Sequence, residues 1–250
     1  TKLAKGVKPG VNRNDVYQIK FLFPPIDEQK RIMAILDEAF EGIDQAIRNT
    51  EKNLANAREL FDSYLNKIFT QKGDGWEERN FGDICENLDT KRVPITKSKR
   101  TSGNIPYYGA SGIVDYVADY LFDEDLLLVS EDGANLLART YPIAFSISGK
   151  TWVNNHAHVL RFSGISLQKF VEYYLNSISL EFYISGMAQP KLNQKALNSI
   201  SVPIAPKLER EQIIKNLDSL TEETQRLETI YRQKLIALNE LKQSILQKAF

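Results

Sequence analysis

The feature that most constrains this chain is an internal repeat. Residues 1–69 align with residues 182–250 without a gap, at a constant spacing of 181 positions. The matched pairs run along the whole alignment and include Pro9 with Pro190, Ile32 with Ile213, Leu36 with Leu217, and Leu65 with Leu246. A repeat of this kind is one structural unit used twice. The chain therefore holds two equivalent units, and residues 70–181 between them occur only once.

Each copy ends in a long run of apolar residues spaced alternately by four and three positions. The run extends from Leu36 to Ile68 in the first copy and from Ile213 to Ile245 in the second. A 3.5-residue period sustained over about five heptads is typical of a coiled coil rather than of an ordinary surface helix. These runs therefore predict two long helices.

The predicted helices begin just after a proline in both copies. Pro25 and Pro206 suit that position, because the first turn of a helix does not use the backbone N–H that proline lacks. We predict the helices over residues 26–70 and 207–250 and expect each to be the other's partner. The segment between them can return the chain, which favours an antiparallel pair. A helical hairpin without any other role is the alternative interpretation.

Residues 71–206 are predicted to form a separate globular domain. Strand-like runs occur at 105–108, 112–117, 125–130, 143–147 and 157–162. A helix is predicted over 166–179, with Ser166 as its N-cap, and a short helix from about Gln194. The predicted fold class is therefore α+β, with one globular domain flanked by two long helices that form an antiparallel coiled coil.

Charge by itself identifies no partner, because 32 Lys and Arg balance 32 Asp and Glu. Within residues 70–181, 15 acidic residues outnumber 11 basic ones, and five of the basic residues lie between 91 and 100. A single cysteine, Cys85, excludes a disulfide framework within the chain and fits a reducing compartment. No apolar run reaches the roughly 18 residues of a membrane helix. We therefore expect a cytoplasmic protein without a membrane partner.

The sequence carries no recognisable catalytic motif: it lacks a phosphate loop, a paired-cysteine zinc pattern and a nucleophile elbow. His156 and His158 are spaced to share one face of a strand, which makes an incomplete metal site. An enzymatic interpretation, in which His156 works with Asp132 or Glu131, has no accompanying nucleophile or metal set. We predict that the chain is not an enzyme and holds no metal or cofactor of its own.

Several segments resemble the specificity subunit of type I restriction-modification enzymes. The proline-led helices alternate with a domain that ends in "QPKLN" and "VPIAPKLEREQ", and the segments "GWEERNFGDICENL", "SEDGANLL" and "ISGKTWVNNHAHVL" are similar to that family's target recognition domain. The resemblance implies a non-catalytic DNA-recognition subunit that reads one half of a bipartite site. It also implies that methyltransferase subunits dock on the helices, that a restriction subunit joins through the complex, and that these partners hold the active sites and S-adenosylmethionine.

The sequence departs from the family's arrangement at its beginning. The family alternates two recognition domains with two helices, whereas this chain has one such domain. Residues 1–25 align with residues 182–206, so they are predicted to be a remnant of the end of a preceding recognition domain. The chain is then either a truncated subunit or a half-subunit form. A half-subunit is expected to pair with a second copy of itself and to read an inverted repeat, because protein symmetry is mirrored in the site.

Candidate DNA-contacting residues lie in four segments of the domain. Arg and Lys bind phosphate or guanine, Asn reads adenine, and aromatic or small polar side chains can stack on or contact bases. The candidates are Lys91, Arg92, Lys97, Lys99, Arg100, Tyr107, Tyr108, Ser111, Lys150, Trp152, Asn154, Asn155, His156, Gln189 and Lys191. A solvated loop and an ordinary β-core are the alternatives for these segments.

Aromatic residues on the helices exceed what a two-helix seam needs, and surplus aromatic residues favour docking by other proteins. The candidate partner contacts are Phe40, Phe61, Tyr64, Phe69, Tyr231 and Phe250. Packing against the recognition domain itself is the alternative for them. For the whole chain, the alternative function is a scaffold that carries a protein-binding domain on a coiled-coil spacer, which the excess of acidic residues in the middle domain favours.

Overall fold

The computed structural model describes residues 13–19, 24–186 and 188–249. These residues belong to two compact units, one formed by Thr1–Leu54 with Thr229–Phe250 and the other by Ala55–Glu228. The α-helices are α1 (Arg13–Tyr17), α2 (Ile26–Thr70), α3 (Asn135–Ala138), α4 (Ile165–Ser177), α5 (Gln194–Asn198) and α6 (Lys207–Ala249). Within the described residues, none of these helices combines the length and the apolar character that crossing a bilayer requires.

The strands form three sheets in the second unit. Their bounds are β1 (Glu77–Asn80), β2 (Cys85–Asn87), β3 (Ser102–Gly109), β4 (Gly112–Val117), β5 (Phe122–Asp123), β6 (Leu126–Ser130), β7 (Ala144–Ile147), β8 (Lys150–Val153), β9 (Ala157–Phe162) and β10 (Ser201–Ile204). The sheet orders are β1-β10, β2-β9-β6-β7 and β4-β3-β8-β5. The pairs are antiparallel except β3 with β8, which run parallel.

Strand β6 is apolar at successive positions because both of its faces are buried. Leu127 and Val129 belong to one core cluster, together with Val171 of α4. Leu126 and Leu128 belong to a second cluster on the other face. Side chains alternate along a strand, so a continuous apolar run is what a strand between two cores requires. The sheet β2-β9-β6-β7 thus lies between these two hydrophobic clusters.

The two long helices contact each other in both units. In the first unit, the Lys242 ammonium of α6 lies 2.7 Å from Asp44 of α2 and 5.4 Å from the centre of the Phe40 ring. In the second unit, Arg58 of α2 forms an ion pair with Glu228 of α6 at 2.5 Å. In the second unit, the end of α2 also packs with the beginning of α6, where Phe69 and Leu217 share a buried cluster, so the two helices run antiparallel there. The α+β fold with an antiparallel helix pair, predicted from the sequence, is confirmed.

An aromatic cluster joins the end of α2 and the beginning of α6 to the globular domain. The Phe69 ring of α2 lies 6.4 Å from Trp76, 5.3 Å from Phe170 and 5.1 Å from Tyr174, measured between ring centres. Leu217 of α6 is buried in the same cluster. Two polar contacts accompany it: the Lys169 ammonium and the Tyr173 hydroxyl both bind Asp218, each at 2.7 Å. Contacts of this density fix the ends of the helices on α4.

The internal repeat is visible in the structure at the two short helices. Helices α1 and α5 are related by the same spacing of 181 residues. In α5 and just after it, Leu197 and Ile200 are fully buried in the domain core, whereas the equivalent Val16 and Ile19 are exposed. The two copies thus share local structure but differ in what covers their apolar residues.

The N-cap predicted for α4 is wrong. The helix begins at Ile165 and its N-cap position is Gly164, without a side-chain cap. The Ser166 hydroxyl instead accepts a hydrogen bond from Arg210 of α6 at 3.2 Å. Ser166 is therefore used to join α4 to α6 rather than to begin the helix.

We expect Phe69→Ala to lower the free energy of unfolding by about 3–5 kcal/mol, the usual cost of removing a buried phenylalanine. Phe69 is 6% exposed and contacts three other aromatic rings, so the substitution leaves a cavity between α2 and α4. The matched control is Phe182→Ala, because Phe182 is 98% exposed, and there a change within about 0.5 kcal/mol is expected. Urea unfolding followed by circular dichroism measures both; equal losses would contradict the role of the cluster.

Candidate functional site

The basic segment, residues 91–100, is held by one side chain of β3, one of β8 and one of its own. The Trp152 indole N–H donates to the Val93 carbonyl at 2.7 Å. The Ile95 N–H donates to the Tyr107 hydroxyl at 3.1 Å, and the Arg100 guanidinium donates to the Ile95 carbonyl at 3.1 Å. The backbone of the basic segment is therefore anchored, although the segment consists mostly of short turns and irregular structure.

Lysines on and near the basic segment are exposed. Lys97 and Lys99 are the first and last residues of a single 3-10 turn, and Lys91 ends another. Within the described part of the chain, these three make no ion pair. A fourth exposed cation, Lys150 of β8, lies 4.7 Å from the centre of the Tyr120 ring. These four ammonium groups remain available to an anionic partner.

Arg100 is held in place by its neighbours. Its guanidinium forms an ion pair with Asp115 of β4 at 2.9 Å and lies 4.2 Å from the centre of the Tyr107 ring. The hydrogen bond from Arg100 lowers the pKa of the Asp115 carboxyl. Tyr107 is itself buried. Arg100 and Tyr107 therefore hold the backbone of the basic segment in place through Ile95.

Arg92 is also enclosed by protein. Its guanidinium donates to Glu131 at 2.7 Å and to the Ala157 carbonyl at 2.6 Å, and it lies 3.5 Å from Asp89. Glu131 accepts a further ion pair from Lys191 at 3.1 Å. Burial raises the pKa of Glu131, but the bonds from Arg92 and Lys191 outweigh this effect and the net pKa is lowered. Arg92, the second residue of the basic segment, is therefore part of an internal ion-pair network.

His158 lies at the centre of this network. Its Nδ1 is 2.6 Å from Asp89 and its Nε2 is 2.8 Å from the Leu192 carbonyl. Asp89 also accepts the Val159 N–H at 2.8 Å. Burial raises the pKa of Asp89, but the bonds from His158 and Val159 outweigh it and lower the pKa overall. The network thus joins the basic segment, β9 and the loop that precedes α5.

Asp89, Glu131 and His158 lie close enough together to be considered as metal ligands. Each of them is already bound by protein groups: Asp89 by His158 and Val159, Glu131 by Arg92 and Lys191, and His158 by Leu192. The pair of histidines considered from the sequence is divided, because His156 binds Asp132 instead. These three side chains are therefore members of an ion-pair network, and their ligand atoms are engaged by protein groups.

An open pocket of about 560 Å³ lies beside the turn between β3 and β4. Three candidates from two distant segments line it, namely Ser111, Asn154 and His156. The His156 Nδ1 is 2.9 and 3.0 Å from the two carboxylate oxygens of Asp132. Gly112, at φ 126°, completes the turn in a conformation that favours glycine. The structure therefore brings these separate sequence motifs together.

The remaining candidates differ in exposure. Tyr108 is half-buried, with its ring 6.0 Å from that of Phe145, and Trp152 is half-buried. Asn155, Gln189 and Lys191 are exposed. Sequence reasoning did not identify Tyr120 and Tyr141 as parts of the site. No sequence motif indicates either residue. Tyr120 belongs to the site only because its ring contacts Lys150, and Tyr141 only because it lines the pocket.

The candidate partner contacts on the helices are largely engaged within the chain. Phe61, Tyr64 and Phe69 pack in the aromatic cluster, and Phe40 lies under Lys242. Tyr231 is half-buried, and Phe250 lies outside the described residues. The exposed apolar residues of α2 and α6 are mainly aliphatic, and they are Ile26, Met33, Ile35, Leu60, Leu208, Ile230, Ile236 and Leu241.

Residues 73–237 match the family model described as the type I restriction modification DNA specificity domain. A Haemophilus influenzae protein named as a type I restriction enzyme specificity subunit is 35% identical over 159 residues, which cover 62% of this chain and 41% of that protein. A Mycoplasma pneumoniae protein named as a type I specificity subunit is 25% identical over 198 residues, 76% of each chain. The chain thus spans less than half the length of the Haemophilus relative.

Solved structures share the fold. A chain from a type I R-M system, solved in work on complex assembly and conformational transition, superposes with a TM-score of 0.76 at 21% identity, over 98% of this chain and 64% of that one. The HsdS subunit from Thermoanaerobacter tengcongensis superposes with a TM-score of 0.62 at 22% identity, again over 98% and 64%. At these identities the likeness establishes the fold.

The ion-pair network predicts a pH-dependent stability. Because the pKa of Asp89 in the folded chain lies below its ordinary value of 3.8, the carboxylate stabilises the fold above that pH, and this stabilisation is lost as the pH falls through the folded-state pKa. We expect Asp89→Asn to cost about 1.5–3 kcal/mol near pH 7, the range for hydrogen bonds to charged groups. The difference from wild type should shrink below pH 3.8.

Chemical unfolding at a series of pH values measures this difference. The control is Asp83→Asn, because Asp83 is an exposed aspartate, and a change within about 0.5 kcal/mol is expected there. A cost for Asp89→Asn that stays constant down to pH 2 would contradict the assignment.

Proposed function

The chain belongs to the type I restriction-modification DNA specificity family, and on that premise we propose that it is a DNA-recognition subunit that reads one half of a bipartite site in double-stranded DNA. The observation that carries the proposal is the anchored basic segment with its exposed lysines. Flexible lysines on a fixed backbone suit phosphate contacts, which position a protein on DNA without reading sequence. Lys91, Lys97, Lys99 and Lys150 are the proposed phosphate contacts.

Base reading is proposed for the neighbouring polar residues. Ser111, Asn154, Asn155 and His156 lie in or beside the open pocket, and Asn and His offer the directed hydrogen bonds that distinguish base edges. Tyr108, Trp152, Gln189 and Lys191 are candidates at the margin of this surface. Arg92, Arg100 and Tyr107 are proposed to hold the surface in shape, because their polar groups are engaged by protein.

We propose that the antiparallel helices dock methyltransferase subunits, through which a restriction subunit joins. The support comes from the exposed aliphatic residues of α2 and α6, which charged residues surround. Apolar side chains set among polar neighbours are typical of protein-protein contacts. On this proposal the chain provides recognition and spacing, and its partners provide catalysis.

The first copy of the repeat supports a proposal about the second half-site. Val16 and Ile19 are exposed at positions where the second copy buries Leu197 and Ile200 against the recognition domain. Residues 1–25, of which 13–19 and 24–25 are described, are therefore proposed to complete a second recognition domain. That domain belongs either to a longer form of the subunit or to a second copy of the chain.

We expect the double substitution Lys97→Ala and Lys99→Ala to weaken DNA binding and to reduce its salt dependence. Each lost phosphate contact lowers the slope of log K against log salt by about 0.9, so the slope should fall by about 1.8. Anisotropy titrations at several salt concentrations measure it. The substitution pair Lys30→Ala and Lys52→Ala, on the exposed side of α2, removes the same charge and should leave the slope unchanged. Equal slopes for wild type and the Lys97/Lys99 variant would refute the assignment.

Substituting an exposed aliphatic residue of the helices should weaken docking without affecting DNA binding. For Ile236→Asp, which introduces a charge at an exposed apolar position of α6, we expect about a tenfold or greater rise in the Kd for a methyltransferase subunit, in line with a typical interface anchor. Analytical ultracentrifugation with the purified subunit measures this. Gln243→Asp, at an exposed polar position of the same helix, is the control, and identical Kd values for the two variants would count against the proposal.

A further inference from the structure

The open pocket contains a polar group that the fold leaves without a partner. Asn154 is only 8% exposed, and its Oδ1 accepts the His156 N–H at 2.8 Å, which identifies the other amide atom as Nδ2. Within the described residues Nδ2 makes no hydrogen bond. Since Nδ2 is not among the atoms sealed from solvent and Asn154 lines the pocket, the donor reaches the pocket space.

Gly109 keeps the approach to this donor open. A Cβ at Gly109 would lie 3.5 Å from Asn154 Nδ2 and 2.9 Å from a methyl group of Val114. Any larger side chain would cover the amide. The turn that carries Gly109 is fixed to the core, because the buried Ser130 hydroxyl donates to the Ala110 carbonyl. The space above the Asn154 amide is therefore maintained by Gly109 and by the fixed position of its turn.

His156 provides the complementary group. Its Nδ1 donates to Asp132, and a ring nitrogen that donates to a carboxylate fixes the tautomer of a neutral histidine. The neutral ring then presents Nε2 as an acceptor, and Nε2 has no partner in the described part of the chain. The pocket therefore offers a donor from Asn154 and an acceptor from His156, two residues apart along the chain.

The walls of the pocket suit a flat ring. Most lining residues have small side chains, and the phenol ring of Tyr141 is exposed at its edge. The pocket is open to solvent and has a volume of about 560 Å³, so the major-groove edge of a paired base can approach the groups that line it. Small walls, one aromatic ring and one donor-acceptor pair are the elements by which proteins recognise a base.

We propose that this pocket reads one adenine of the DNA site, with the N6 amino group donating to His156 Nε2 and N7 accepting from Asn154 Nδ2. In the major groove, adenine alone places an acceptor and a donor side by side on one base. Guanine and thymine would set a carbonyl oxygen against His156, and cytosine has no ring acceptor on that edge. The proposal rests on the proposed function and adds to it the identity of one base.

The test compares sequence preference among closely matched variants. Asn154→Asp keeps the oxygen that accepts the His156 N–H and replaces the Nδ2 donor by an acceptor. His156→Asn keeps a donor near the Nδ1 position and removes Nε2, and His156→Gln restores a polar group near the Nε2 position. Each protein is used to select from a randomised duplex library, and thermal unfolding verifies that each variant is folded.

For the wild type we expect an adenine at one position of the selected sequence, preferred by about tenfold. In Asn154→Asp and His156→Asn this single preference should disappear, and in Asn154→Asp it should shift towards cytosine, whose amino group an aspartate accepts. In His156→Gln it should be partly restored. The other positions and the salt slope should stay as in wild type.

Two outcomes separate failure of this inference from failure of the proposed function. If the wild type and all variants select one and the same sequence, the pocket does not read a base, while the DNA-recognition function stands. If the wild type selects no sequence, the proposed function fails. Titration with adenosine monophosphate, followed by NMR, then tests whether the pocket binds adenine. Shifts seen with adenosine but not guanosine monophosphate, and lost in Asn154→Asp, would support an adenine pocket for free nucleotide; their absence would overturn it.

Discussion

The ion-pair network of Asp89, Arg92, Glu131 and His158 is the interaction on which the proposed recognition surface depends. These residues come from distant parts of the chain, and they connect different segments of that surface. Arg92 belongs to the basic segment, Glu131 directly follows β6, and His158 binds the loop before α5. Charges enclosed in this way are costly unless they are paired. Because each charge needs its partner, the segments that carry these residues must be in place at the same time.

This use of charge explains why an acidic domain can present a basic surface. Many of its carboxylates are bound to arginines: Glu131 to Arg92, Asp115 to Arg100, and Glu124 and Glu86 to Arg161. Arginine suits these positions because its planar guanidinium makes several directed hydrogen bonds, whereas lysine is a flexible point charge. These four acids are thereby engaged within the protein, whereas the lysines of the basic segment make no ion pair within the described residues. The net charge of the whole domain does not reveal this difference between paired acids and unpaired lysines.

The regular parts of the fold could be predicted because their patterns are local. The heptad spacing predicts α2 and α6, and the strand-like runs at 112–117 and 157–162 coincide with β4 and β9. Short strands such as β5 and β8 were missed because two to four residues carry too little pattern. At the candidate site the sequence indicated residue types but not their burial. Tyr107 and Arg92 looked like DNA contacts because nothing in their own segments shows the partners that enclose them.

The pairing of β1 with β10 has a consequence for how such a chain can change. Glu77 lies opposite Ile204, so the chain enters and leaves the recognition domain at neighbouring points. A domain whose two ends meet can be exchanged for another of different sequence with little disturbance to what flanks it. The helices, which occur twice with the same spacing pattern, then form a constant frame. On the proposed function, new DNA specificities can arise in this architecture by replacing one module, while the helix surfaces proposed to bind the other subunits remain unchanged.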